Sequence, residues 1–173
     1  PKAGGPHYLS RFQRSAATVI GSAWRGLDDP ERLGAALRAR AEDPVEPFPR
    51  LALPGPTGET NELALIPRAP LLCAGPGTRA AQAQQAFVKA LGGRAVRVRG
   101  ALYPDDLSVL PAVGGVLWWG EAGQGRAYAQ ALAARSGEII PLITGLPDKA
   151  HVMLERHLCV DTTAAGGNAS LLL

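Results

Sequence analysis

Residues 70–80, Pro70-Leu71-Leu72-Cys73-Ala74-Gly75-Pro76-Gly77-Thr78-Arg79-Ala80, pass from a short apolar run through a glycine-rich turn into a helical pattern. The run has the length and bounds of a buried strand. Residues 78–91 follow with an apolar stripe at Ala80, Ala83, Phe87 and Leu91, and Gly92-Gly93 is placed to cap a helix C-terminus. Residues 94–99 set Val96 and Val98 on one side of a second strand, and 113–119 form a third. A helix is expected over 121–135, a strand over 138–142 and a last helix over 147–158. Strands alternating with helices of this length predict an α/β fold, a Rossmann-like doubly wound parallel sheet with right-handed crossovers.

Upstream of that core the pattern changes. Residues 16–24 are apolar enough to be buried, and Asp29-Pro30-Glu31-Arg32 reads as a helix start, with Asp29 as N-cap and Pro30 where its missing N–H costs nothing. Leu33, Ala36, Leu37 and Ala41 form its apolar face, and Asp43-Pro44 ends it. Prolines 44, 47, 49, 54, 56 and 67 then predict an extended segment with tight turns, and residues 53–67 read as a hairpin or connector. The closing stretch, 159–173, combines hydroxyls, the Gly166-Gly167 pair, Asn168 and three leucines. It makes a poor helix and a poor solvated tail, so it is expected to dock on something, as a C-terminal strand or flap. The chain opens on Pro1 without an initiator methionine, which suggests a piece of a longer polypeptide or a processed product.

A hydrophobic content of 46% in 173 residues is enough for a real core. The 21 glycines and 15 prolines point to many turns. A net charge of +3, with bases scattered among acids, argues against nucleic-acid or membrane-surface binding. No apolar run reaches membrane-span length, and no stretch has a signal-peptide pattern. Cys73 and Cys159 both sit among aliphatic residues, which suggests buried small hydrophobes rather than a disulfide or nucleophiles. A reducing, cytoplasmic setting fits these features.

Gly75-Pro76-Gly77-Thr78-Arg79-Ala80 matches the dinucleotide fingerprint in its loose form, at the right place for a phosphate on a helix N-terminus. Three features weaken it. Pro76 removes an amide, Thr78 is a natural helix cap, and Arg97 and Arg99 stand where a ribose-binding acid is expected. The arginines would suit a 2′-phosphate, so a free-standing NADP-type domain using Gly75, Gly77 and Arg97 is the alternative to a structural turn. His7, His151 and His157 lack a metal-ligand pattern, the last two being six apart on an expected helix, and no metal site is expected. Trp118 and Trp119 should point to opposite faces of their strand, and Glu121 should serve the helix that follows. No catalytic constellation emerges.

Three stretches carry a resemblance: Pro1-Lys2-Ala3-Gly4-Gly5-Pro6-His7-Tyr8-Leu9 with Arg11-Phe12, then Leu53-Pro54-Gly55-Pro56-Thr57-Gly58-Glu59-Thr60-Asn61, then Asp161-Thr162-Thr163-Ala164-Ala165-Gly166-Gly167-Asn168. Together they resemble the C-terminal region of the bacterial proline utilization A proteins, bifunctional flavoenzymes that oxidise proline to glutamate. In that family an FAD-dependent proline dehydrogenase passes its product through a tunnel to an NAD-dependent glutamate semialdehyde dehydrogenase, and the long forms add an aldehyde-dehydrogenase-like Rossmann domain without known catalysis. The resemblance implies that residues 1–15 are the tail of the dehydrogenase module, 16–158 the noncatalytic domain and 159–173 a docking motif. It implies that Gly4 and Gly5 anchor a substrate carboxylate, that Phe12 lines the aldehyde pocket, and that Thr162, Thr163, Ala164, Ala165, Gly166, Gly167 and Asn168 cover the tunnel. FAD and NAD would belong to the parent and no cofactor to this segment. The partners implied are the upstream modules of the same polypeptide, in a homo-oligomer.

Overall fold

The computed structural model describes residues 23–44 and 50–161. The expectations for Gly4, Gly5, Phe12 and Thr162 to Asn168, and for most of 16–24, lie outside them. The chain runs α1 (Pro30–Ala41), β1 (Leu51–Leu53), β2 (Glu59–Pro67), β3 (Leu71–Cys73), α2 (Gly77–Ala90), β4 (Ala95–Arg97), α3 (Pro104–Val109), β5 (Gly115–Leu117), α4 (Ala122–Ala133), β6 (Leu142–Ile143), α5 (Lys149–Val152) and β7 (Met153–Asp161).

Four strands form a parallel sheet in the order β4-β3-β5-β6, with Leu71 opposite both Ala95 and Gly115, and Val116 opposite Leu142. Alternate residues of each strand serve opposite faces. Leu72, Val96, Val98, Val116 and Trp118 pack with Leu33 and Leu37 of α1, Leu107 of α3 and Tyr128 and Leu132 of α4. Leu71, Cys73, Ala95, Leu117, Trp119 and Ile143 pack on the other side with Val88, Val152 and Met153. Burial on both faces explains why these strands read as continuous apolar runs rather than alternating ones.

Local chemistry places the helices. Asp29 accepts from the Glu31 amide at 2.9 Å, and Pro30 opens α1. Helix α2 ends in a Schellman motif: Gly92 is left-handed at φ 81°, its amide reaches Lys89 O at 2.9 Å, and the Gly93 amide reaches Val88 O at 2.9 Å. Two arginines finish other helices. The Arg94 guanidinium donates to Ala41 O at 2.6 Å at the end of α1 and to Arg68 O at 2.9 Å. Arg135 donates to Leu107 O and, at 2.8 Å, to Leu110 O at the end of α3.

The second sheet is antiparallel, β1-β2-β7, built on the expected hairpin. Its turn holds Gly58 at φ 87°. Strand β7 pairs with β2 along the whole length of both, from Pro67 opposite Met153 to Glu59 opposite Asp161. The helix expected over 147–158 is therefore a single turn. Asp148 caps α5 by accepting from Ala150 N at 3.0 Å, and the chain then extends, because pairing with β2 outweighs helical propensity.

Three smaller corrections follow. The stripe of α2 is turned toward Ala80, Ala81, Gln84 and Val88, leaving Phe87 at 45% exposure with its ring edge against Trp119. Strand β6 lies at 142–143 rather than 138–142, because the ladder bonds to β5 come from Pro141 O and Ile143 O, and Ile139 is 96% exposed. Helix α3 had no counterpart in the periodicity. Pro104 occupies its first turn, and Asp106 accepts from the Tyr103 amide at 2.9 Å.

Candidate functional site

In the order β4-β3-β5-β6 the winding reverses between β3 and β5, and open parallel sheets bind ligands outside the carboxyl ends of the strands at that point. The turn Gly75-Pro76-Gly77 sits there. The polar groups of Gly75, and of Ala74 before it, are already engaged. Gly75 N donates to Gln84 Oε1 at 2.9 Å, and Gly75 O accepts from Gln84 Nε2 at 2.8 Å and from Trp119 N at 2.9 Å. Ala74 N donates to Leu117 O at 3.0 Å, and Ala74 O accepts Trp24 Nε1 at 3.0 Å. A diphosphate arriving here meets a Gly75 amide that points at Gln84 and, at Pro76, no amide at all. Nor is Thr78 the helix cap: α2 starts at Gly77 with Pro76 before it, so Thr78 lies one residue inside.

The arginines lie at and just beyond the end of the neighbouring strand β4. Arg97 ends β4 and is half-buried, close enough to Cys73 to ease its ionisation, yet burial wins and pushes the thiol up to about 12. Arg99 is exposed, and its backbone amide donates to Asp28 Oδ2. The same Asp28 carboxylate takes Arg32 Nη2 at 2.7 Å, so the acid nearest the end of β4 is held inside the fold. Gly75, Gly77 and Arg97 thus share the carboxyl edge of two neighbouring strands.

Of the two cysteines, Cys73 is fully buried as expected. Cys159 is exposed, a correction that follows from its place on β7, whose outer edge pairs with no described strand. Its Sγ lies 3.1 Å from Glu59 Oε1, and that contact raises the thiol while Asn61 and Cys159 lower the Glu59 carboxyl. His151 belongs to the α5 cap, its Nδ1 2.7 Å from Asp148 Oδ1, and His157 lies exposed on β7, so the two are not on one helix. Among the described residues no group of three His, Cys, Asp or Glu side chains is placed to hold a metal ion. Trp118 and Trp119 take opposite faces, 6% and 5% exposed, and Glu121 caps α4 by accepting from Gly123 N at 3.3 Å.

The stretch 53–61 has a structural logic of its own. Asn61 is 7% exposed, its Nδ2 donates to Glu59 Oε1 at 2.9 Å, and a Cβ on Gly55 would stand 2.6 Å from that Nδ2. Glycine at 55 therefore lets the turn close on the buried asparagine. Gln84 and Trp24 fix the turn after β3: a glutamine in a helix reads as a surface residue, and Trp24 was marked only as part of the apolar segment 16–24, its acceptor being fifty positions away.

No family model matches the chain. The bifunctional protein PutA of Escherichia coli K12 aligns with 99% of it at 29% identity over 222 positions. PutA of Salmonella typhimurium aligns with 69% of it at 34% identity over 143 positions. The chain is a PutA relative. It spans 17% of the length of the first of these proteins and 11% of the second. Among solved structures, a bifunctional proline utilization A (PutA) protein covers 65% of this chain and 14% of its own length, at 23% identity and a TM-score of 0.38. A Bradyrhizobium japonicum PutA variant covers 66% and 15%, at 24% identity and a TM-score of 0.38. None of the described helices is long and apolar enough to cross a membrane.

Proposed function

We propose that this chain is the C-terminal, noncatalytic domain of a bifunctional PutA-type enzyme, with an aldehyde-dehydrogenase-like Rossmann fold, and that it covers the passage between a proline dehydrogenase with FAD and a glutamate semialdehyde dehydrogenase with NAD. The observation that carries the reading is the alignment of nearly the whole chain with a small part of a much longer bifunctional protein. Two features support it. After β3 the Gly75 amide and the Ala74 and Gly75 carbonyls are spent on Gln84, Trp24 and Trp119, which suits a fold kept without its cofactor. The flap strand β7 carries the chain out to Asp161, directly before the docking motif of Thr162 to Asn168, with Leu154, Leu158 and Val160 at 36%, 54% and 44% exposure beside it. By the same reading Gly4, Gly5 and Phe12 belong to the substrate pocket of the preceding module, residues 16–158 form the cover domain in a cytoplasmic homo-oligomer, and the upstream modules are its partners.

Calorimetry of the chain against NADH and NADPH tests the noncatalytic part. No heat at millimolar nucleotide is the expected result, and saturable binding of NADPH would favour a dinucleotide-binding domain using Gly75, Gly77 and Arg97 instead. The covering part is read by removing residues 162–173 from the parent, which should slow coupled conversion of proline to glutamate more than proline oxidation.

A further inference from the structure

We infer that the chain pairs with a second copy of itself beside the β6 edge of the parallel sheet, each copy setting its Ile139 into a cavity of the other. The inference rests on this surface alone and stands apart from the PutA reading. Ile139 is 96% exposed, although its neighbour Ile140 packs on the core. Next to it lies a cavity of about 260 Å³ with apolar walls, made by Ala129, Leu132 and Ala133 of α4 and by Ile140 and Leu142. Ile139 borders that cavity, yet at such exposure its own side chain does not fill it. The approach is open. Strand β6 ends the sheet, and no described strand pairs beyond it. Its bonds to β5 are made by Pro141 O and Ile143 O, so by the alternation of a ladder the amide and carbonyl of Leu142 face outward.

The occupant is a second copy because both halves of the contact lie on one surface. A closed two-fold contact needs a self-complementary patch, in which residue i meets j and j meets i. Ile139 and the cavity supply the apolar half of that match. The charged half comes from Arg135 and Glu138, which also line the cavity and form no ion pair with a described residue. The Arg135 guanidinium spends Nη1 and Nη2 on the carbonyls of Leu107 and Leu110, so its charge has no acid beside it. Across a two-fold axis Glu138 travels with Ile139 to the cavity where the partner's Arg135 lies, and opposite charges meet twice.

Sedimentation velocity of the full chain, from low micromolar to near-millimolar concentration, tests the inference. The unsubstituted chain should dimerise reversibly, and Ile139→Lys should weaken the dimer about a hundredfold or more, because two isoleucines leave one interface. Since Ile139 is almost wholly exposed within its own chain, the melting temperatures of the two proteins should agree where both are monomeric. Ala133→Phe fills the cavity from an exposed position on α4 and should block the dimer in the same way. Leu158→Lys, on the flap, should leave the dimer intact. A chain that stays monomeric throughout, a dimer that survives Ile139→Lys or Ala133→Phe, or a dimer lost on Leu158→Lys alone overturns the inference.

Discussion

Gln84 has no exposed surface, yet it sits in a helix face that carries alanines and a valine on either side. Its amide answers both polar groups of Gly75, so it acts as a clamp on the turn after β3. Gln84→Leu keeps the volume and strands the Gly75 amide in the interior, at a cost of about 1–3 kcal/mol that a lower urea midpoint with unchanged slope would register. Periodicity cannot show such a residue, because it scores polarity and not partnership; Trp118 and Trp119 were legible, because strand alternation alone assigns their faces. Cys73 gives a pH test. Burial lifts its thiol from an ordinary 9.0 to about 12, so the fold favours the neutral form. The unfolded chain then loses that proton first, and stability, level below pH 9, falls as pH rises from 9 toward 12 by up to about 1.4 kcal/mol per unit. Cys73→Ala should remove that share of the decline when urea midpoints are compared at pH 7 and pH 10.

Among the elements, those with local signals were read well and those set by distant partners were not. Helix α1 announced itself through Asp29 and Pro30, and the end of α2 through Gly92 and Gly93. Strand β7 could not be told from a helix, because its apolar residues 154 and 158 fit either period and only the ladder with β2 selects the extended form. Helix α3 has six residues, too few for a periodic stripe, and its C-terminal carbonyls depend on an arginine 25 to 28 positions away. Arg135→Ala should therefore cost about 2 kcal/mol by urea denaturation, the range of hydrogen bonds from a charged donor. Gly93→Ala tests the junction of α2 with α5. Its Cβ would stand 2.6 Å from Val152 Cβ, and the overpacking should destabilise by about 1–3 kcal/mol in a thermal or urea melt.

For the molecule as a whole, the parallel sheet was legible from strand-helix alternation, and the hairpin from its prolines and glycines. The union of that hairpin with β7 into a three-stranded flap was not, since it joins residues 59 and 161 across the whole α/β core. The flap places an exposed apolar row, Ile66, Leu154, Leu158 and Val160, on one side of a sheet that leads to the chain's last segment. An exposed apolar row of this kind marks a surface made for a partner, which suits the proposed cover role. The measurement that bears most directly on this account is the time course of NADH formation from proline by a PutA-type parent that ends with this chain, before and after deletion of residues 162–173. The account predicts that the intact enzyme forms NADH without a lag, and that the truncated one shows a lag while its proline oxidation, followed alone, stays near the intact rate. Identical time courses in the two enzymes would contradict it.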